Sequence, residues 1–120
     1  MKHFSKEVQA VRQGEVYFVR INKLPKDITP ITPTEGKYIV AHSETGHHHV
    51  IEATPNVQFF SSNDPLVSYL QVVEAADATE VLLKHLRSFN THDSIKFDAG
   101  IYCAVTGRES APEGWRKVQD

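Results

Sequence analysis

The sequence predicts an all-β fold of mainly antiparallel strands that forms a small barrel or sandwich. About eight short runs rich in Val, Ile, Tyr and Phe are separated by turn residues. Short strands at this close spacing are typical of those two architectures. A length of 120 residues suits one β-rich domain, residues 1–120, with one modest core.

The first predicted elements lie before the long proline-containing segment. In residues 1–13, Phe4, Val8 and Val11 recur at helical spacing, which predicts a short helix or a docked arm. The next run, EVYFVRI at residues 15–21, is apolar on both faces. Such a run predicts a central strand that is covered on both sides.

Residues 22–36 contain Pro25, Pro30 and Pro33. Each proline removes a backbone donor and restricts the residue before it, so the sequence predicts a loop without a regular element. A loop of this length in a small domain is either a packed surface loop or a lid over a site.

A β-hairpin is predicted where two strand-like runs, residues 37–42 and 47–53, flank the turn sequence Ser-Glu-Thr-Gly. In the simplest register His42 and His47 are direct cross-strand partners on one face. His49 shares that face because strand side chains alternate. Four apolar residues accompany the three histidines, whereas two polar ones point the other way: Tyr38, Val40, Ile51 and Ala53 on the first face, and His48 and Glu52 on the second.

Three converging neutral imidazoles form the protein side of a metal site with an open coordination position. His42, His47 and His49 therefore predict binding of a divalent transition metal such as zinc, iron, nickel or manganese. The alternative is that residues 47–49 are a solvated flank of the turn, and that His42 is a strand-end residue bonded to a backbone carbonyl.

The second half of the chain continues the strand pattern. Strands are predicted at residues 57–60 and 66–74, and a last short strand at 115–118. The runs SIKF and GIYCAV flank Asp-Ala-Gly and predict another hairpin over residues 94–105. Its core candidates are Ile95, Phe97, Ile101, Cys103 and Val105.

Residues 79–86 are predicted to form a strand in which Val81, Leu83 and His85 share the apolar face. A short helix over residues 75–87 is the alternative, since Ala, Glu, Leu and Lys favour helix.

Further candidates for the site come from other parts of the chain. His85 and His92 could supply a fourth ligand or an acid–base group. Glu44 in the hairpin turn could be a general base or a ligand, with a solvated turn residue as the alternative. Arg108 and Glu109 could bind an anionic ligand or simply pair with each other.

Composition excludes several classes of function. A net charge of −2 attracts neither nucleic acid nor an anionic membrane, and no apolar run is long enough to cross a bilayer. Because Cys103 is the only cysteine, no intrachain disulfide can form, which fits a reducing cytoplasm. No Ser-His-Asp order, phosphate-binding loop, dinucleotide fingerprint or HExxH motif is present.

From Gly14 onward the chain resembles an uncharacterised family of small phage and prophage proteins with a Thr-Gly-His-x-His turn. Thr45, Gly46, His47 and His49 match that turn, whereas His42 stands where another residue is expected. Looser matches are His92, Gly100, Tyr102, Arg108, Glu109, Arg116 and Asp120. The resemblance implies a phage-type origin, and hence the cytoplasm of a host, but little chemistry.

The histidines that follow a glycine also look like a cupin metal motif, which allows a cupin-like architecture by analogy. The spacing departs from that motif, because cupins separate their ligands more widely and Glu52 follows His49 by only three residues.

The leading hypothesis is a metal-binding β-domain in which His47 and His49 are joined by His42 and by His85 or His92. If the chain is an enzyme, the expected chemistry is metal-activated water or oxygen acting on a small molecule. The alternative is a non-enzymatic phage accessory module that binds a host protein or sequesters a ligand. A homo-oligomeric structural protein is a third hypothesis.

Overall fold

The computed structural model describes residues 2–41, 48–74, 80–85 and 94–106, and only the backbone of His85. Every regular element in these residues is a β-strand, which confirms the all-β prediction. In chain order the strands are β1 (Lys2–Phe4), β2 (Ala10–Gln13), β3 (Val16–Ile21), β4 (Thr29–Pro30), β5 (Lys37–Ala41), β6 (His49–Glu52), β7 (Val57–Ser61), β8 (Val67–Val72), β9 (Val81–His85), β10 (Ile95–Phe97) and β11 (Gly100–Thr106).

The strands form a sandwich of two sheets. Sheet A has the order β1-β10-β9-β6-β5, and sheet B has the order β2-β3-β11-β8-β7-β4. Neighbouring strands are antiparallel except β1 and β10, which are parallel. Burial of the inward side chains between the sheets provides the main stabilisation. The largest fully buried apolar ones are Phe4, Phe18, Ile51, Leu70, Leu83, Ile95 and Tyr102.

The predicted N-terminal helix is wrong, because these residues form β1 and β2. Phe4 is fully buried, and the Arg20 guanidinium lies 5.2 Å from the Phe4 ring centroid and 4.9 Å from that of Tyr102. Arg20 also donates a hydrogen bond of 2.8 Å to the Ser5 carbonyl. Contacts with distant parts of the chain thus override the helical spacing of the sequence.

β3 is an interior strand between β2 and β11, as its sequence predicts. The prediction that residues 22–36 contain no regular element is wrong in one place, since Thr29 and Pro30 form β4 against β7. β4 is an edge strand of sheet B. A proline is tolerated there because the side of the strand that faces away from β7 has no neighbouring strand to receive an N–H hydrogen bond.

β9 is a strand, so the helical alternative for this part of the chain is wrong at Val81–His85. The burial of Val81 and Leu83 agrees with the predicted alternation. β9 lies between β10 and β6, and antiparallel pairing on both sides outweighs the helix propensity of its Leu and Lys residues.

The hairpin predicted over residues 94–105 is wrong, because β10 belongs to sheet A and β11 to sheet B. The connection between them crosses from one sheet to the other, and the Tyr102 hydroxyl donates a hydrogen bond of 2.6 Å to the Asp98 carbonyl. In β11 the fully buried residues are Tyr102 and Ala104, whereas the core candidates Ile101 and Cys103 are only partly buried.

None of the described residues belongs to a helix that is long and apolar enough to span a bilayer. The strand predicted at residues 115–118 lies outside the described part of the chain.

Candidate functional site

His49 is the predicted site residue whose side chain the structure describes. It begins β6 and is fully buried, facing the core on the same side as Ile51. Glu52 is exposed on the other side of the strand. The alternation predicted for this strand is therefore correct, and it places a polar ring among apolar neighbours, where it needs hydrogen-bond partners.

The register of the hairpin differs from the simplest one. Tyr38 is paired with Ile51 as expected, but His49 is paired with Ala41 rather than with Val40. A β-bulge between Ile39 and Ala41 inserts the extra residue. At the described end of the hairpin the register is thus shifted by one residue, whereas the predicted pairing of His42 with His47 lies outside the described residues.

The partner of His49 is Gln13, at the end of β2 in the opposite sheet. His49 Nδ1 lies 2.6 Å from Gln13 Oε1, and Gln13 Nε2 donates a hydrogen bond of 3.1 Å to the Leu83 carbonyl. Because the amide nitrogen is directed to a carbonyl, the amide oxygen is the acceptor for His49, and Nδ1 carries the proton. Gln13 is 1% exposed, so this chain of bonds joins the two sheets inside the core.

The other ring nitrogen of His49 faces Glu15. Nε2 lies 3.6 Å from Glu15 Oε1, and the Glu15 side chain keeps 31% of its surface exposed. Since Nδ1 carries the proton in the neutral ring, Nε2 has its lone pair on the side of this carboxylate. The pair can share a proton or a cation, and Glu15 connects the buried nitrogen with solvent.

The turn between β2 and β3 is pressed against the imidazole. Gly14 has φ +58°, and a Cβ atom built there would lie 3.2 Å from His49 Cε1. A glycine is suited to this position because the left-handed backbone conformation and the close approach both disfavour a side chain. The turn thereby holds Gln13 and Glu15 on either side of the ring.

The structure describes only two of the predicted metal ligands, His49 in full and the backbone of His85. His85 is the cross-strand partner of His49 in the pairing of β9 with β6, a relationship fixed by the backbone. The other predicted site residues lie outside the described part of the chain: His42, Glu44, His47, His92, Arg108 and Glu109. Among the described residues, no three His, Cys, Asp or Glu side chains come together as a metal site.

Gln13 and Glu15 were not among the site residues predicted from the sequence. They lie 36 and 34 residues before His49, which is too far for any local pattern to connect them with the histidines. The available signal was Gln-Gly-Glu, a tight turn with two polar side chains directly before the most apolar strand.

Cys103 offers no reactive thiol of its own. Burial raises the pKa of its thiol, and a hydrogen bond with Tyr69 offsets this only in part. Since the thiolate is the reactive form, Cys103 is poorly suited to nucleophilic chemistry at neutral pH.

The sequence matches the protein family described as Domain of unknown function DUF8820 over residues 12–106. That range includes Gln13, Glu15, His49 and His85. No curated protein and no solved structure gives a significant match.

Proposed function

Because the chain belongs to the DUF8820 family, whose function is unknown, we propose from the geometry at His49 that it binds a divalent transition metal. His49 Nε2 and the Glu15 carboxylate supply two ligands. His47 and His42, with one of His85 or His92, supply the others. This is the metal-site hypothesis from the sequence, with Glu15 added as a ligand and Gln13 as the residue that orients the ring.

The observation that supports the proposal best is the 2.6 Å contact between His49 Nδ1 and Gln13 Oε1. Histidines that bind metals through one ring nitrogen almost always donate the other N–H to a carbonyl or carboxylate oxygen, which fixes the tautomer. In this chain the acceptor is itself held by the Leu83 carbonyl. The imidazole is thus oriented with Nε2 on the Glu15 side, where the ring nitrogen and the carboxylate could together bind a metal.

The distance to Glu15 is suitable for a shared cation. With metal–ligand distances of about 2.1 Å, atoms 3.6 Å apart subtend an angle of roughly 118° at the metal. That angle lies between trigonal and tetrahedral values. The carboxylate is also the more exposed partner, and it gives a metal a path from solvent to the buried nitrogen.

The sequence offers the additional ligands that such a site needs. His47 precedes His49 by two residues, and His85 is opposite His49 in the sheet register. An open coordination position on the bound metal would serve the water or oxygen activation expected if the chain is an enzyme. The acid–base roles of Glu44 and His92 belong to that enzymatic form of the proposal.

The test is metal binding by protein purified without a histidine-affinity step. We expect close to one equivalent of zinc, iron, nickel or manganese after incubation and desalting. We expect His49→Gln to abolish it and His48→Gln, on the neighbouring, less buried histidine, to retain it. Less than about a tenth of an equivalent in the unaltered protein, with every metal offered, would remove the proposal.

The alternative function remains a non-enzymatic module that binds a host protein or sequesters a ligand. A phage-type origin, a cupin-like architecture and a cytoplasmic location remain predictions from the sequence, as do the ligand contacts of Arg108 and Glu109 and a homo-oligomeric state. Nucleic acid and membranes remain the partners that we do not expect.

A further inference from the structure

The segment that joins β3 to β4, residues 22–28, crosses the outer face of sheet B. It passes over β11, β8 and β7, so the distance across the sheet from β3 to β4 is four strand spacings, or about 19 Å. The strand registers also displace Thr29 from Ile21 by three residues in the strand direction, which is about 10 Å. The combined span of roughly 21 Å uses most of the 28 Å or so that eight extended residues reach. This crossing strap therefore has little slack.

A groove of about 320 Å³ lies between the crossing strap and the sheet. On the sheet side it is lined by Val67 and Tyr69 of β8. These residues pair with Val105 and Cys103 of β11, which alternate with the inward-facing Tyr102 and Ala104, so the groove lies on the outer face. The strap contributes Pro25, Asp27 and Ile28. The groove is thus separate from His49 and from the core.

One wall of the groove is a turn that is already ordered by its own hydrogen bonds. The Ser62 hydroxyl donates a hydrogen bond of 2.7 Å to the Val67 carbonyl, and Asp64 Oδ1 accepts one of 2.9 Å from the Leu66 N–H. The strap is held at its far end by pairing of β4 with β7. A ligand would therefore meet walls that need little ordering on binding, which reduces the entropic cost of association.

The charge of the lining is one-sided. Asp27 and Asp64 are its acidic residues, and no Lys, Arg or His is among the described residues that line it. Lys23 and Lys26 are exposed on the same strap but are not part of the lining. Two carboxylates beside an aromatic ring and apolar walls are suited to a ligand that carries a positive charge at the end of an aliphatic chain, as Lys and Arg side chains do.

We propose that this groove binds a basic peptide segment, with a Lys or Arg side chain between the crossing strap and Tyr69 and its charge between Asp27 and Asp64. Leu66 is 42% exposed and lies between two lining residues in sequence. It offers an apolar contact beside the groove for the next residue of the segment. That extra contact favours a peptide over a small free amine.

The test follows amide chemical shifts in ¹⁵N-labelled full-length protein during titration with the capped tetrapeptide Ala-Lys-Leu-Ala. Matched peptides carry norleucine or Glu in place of Lys, and spermidine is titrated separately. We expect the Lys peptide to shift Ile28, Val67 and Tyr69, and to bind more weakly in high salt. Asp27→Asn should weaken binding about two- to fivefold, whereas Glu7→Gln, the same charge change at an exposed site elsewhere, should not.

Asp64→Asn retains an acceptor for the Leu66 N–H, so it tests charge without opening the turn. Equal binding of the norleucine peptide, or shifts confined to other surfaces, would overturn the proposal. The absence of any chemical-shift change at millimolar peptide would also overturn the proposal. If spermidine binds as tightly as the peptide, the proposal is wrong as well, and the groove binds free amines instead. All titrations are repeated with a chelator and with His49→Gln, so that loss of metal binding cannot be mistaken for loss of this site.

Discussion

His49 on sheet A and Gln13 on sheet B form a fully buried polar link between the two sheets, with 2.6 Å between imidazole Nδ1 and amide Oε1. Both side chains are essentially inaccessible to solvent. Burying polar groups costs free energy unless they are hydrogen-bonded, so the two residues depend on each other. The link also fixes which ring nitrogen of the imidazole meets Glu15, and this is the basis for the metal site that we propose at His49.

Replacing Gln13 with Leu should destabilise the protein by about 1–3 kcal/mol, because it leaves the His49 N–H and the Leu83 carbonyl buried without this partner. Urea denaturation measures the change. Gln9→Leu is the matched control, since Gln9 is exposed and its side chain donates a hydrogen bond to the Arg20 carbonyl at the surface, and it should change the stability by less than about 0.5 kcal/mol. Equal effects of the two variants would contradict a special role for Gln13.

Gly14→Ala should cost more stability than Gly36→Ala. Both glycines have positive φ, +58° and +76°, so each substitution brings a backbone penalty of about 1–2 kcal/mol. Only at Gly14 would the new Cβ meet His49 Cε1, at 3.2 Å, whereas nothing lies within 4 Å at Gly36. The difference between their free energies of unfolding measures how firmly the ring is held, and no difference would mean that the ring shifts freely.

Glu15→Gln should weaken metal binding at least about tenfold while leaving the protein folded, because it removes a carboxylate ligand that is partly exposed. Calorimetric titration with zinc provides the affinity. Glu7→Gln makes the same change in charge on an exposed residue away from the site. If both variants bind zinc as the unaltered protein does, Glu15 is not a ligand.

The stability should fall as the pH rises above about 9. Burial raises the folded-state pKa of Cys103 above its ordinary value of 9.0, so the native state retains a proton that the unfolded chain has begun to lose. Stability is therefore full below pH 9.0 and decreases as the pH rises toward the folded-state pKa. Cys103→Ala should flatten this first part of the decline in urea denaturation at pH 8, 9 and 10. An unchanged pH profile would show that Cys103 does not contribute.

The buried phenol of Tyr102 should extend the decrease in the free energy of unfolding to higher pH. Burial is the main cause that raises the pKa of Tyr102 above 10.0, and the nearby Arg20 offsets it in part. The native state thus binds the phenolic proton more tightly than the unfolded chain, and stability decreases further once the pH exceeds 10.0. Absorbance at the phenolate band should show delayed ionisation of Tyr102 and of Tyr69, whose pKa burial also raises, and Tyr102→Phe should remove part of the delay. Simultaneous ionisation of every tyrosine in the folded protein would contradict this.

Local sequence patterns determined most of the strands from β3 onward and much of their orientation. Alternation alone predicted that His49 and Ile51 face the core while Glu52 faces solvent, because the two-residue period of a strand is a property of the backbone. In β11 the two-residue period did not predict which side chains face the core, because the residues on both faces are apolar. Packing against the other sheet places Tyr102 and Ala104 in the core.

Only the tertiary structure decided which strands are neighbours. The sequence could not reveal that β10 and β11 enter different sheets, or that Phe4 belongs to a strand docked on β10, since these follow from pairing between distant segments. The same reason explains why Gln13 and Glu15 were missed. The free energy that places them at His49 comes from the packing of one sheet on the other, and the local Gln-Gly-Glu turn does not indicate which distant residue it will contact.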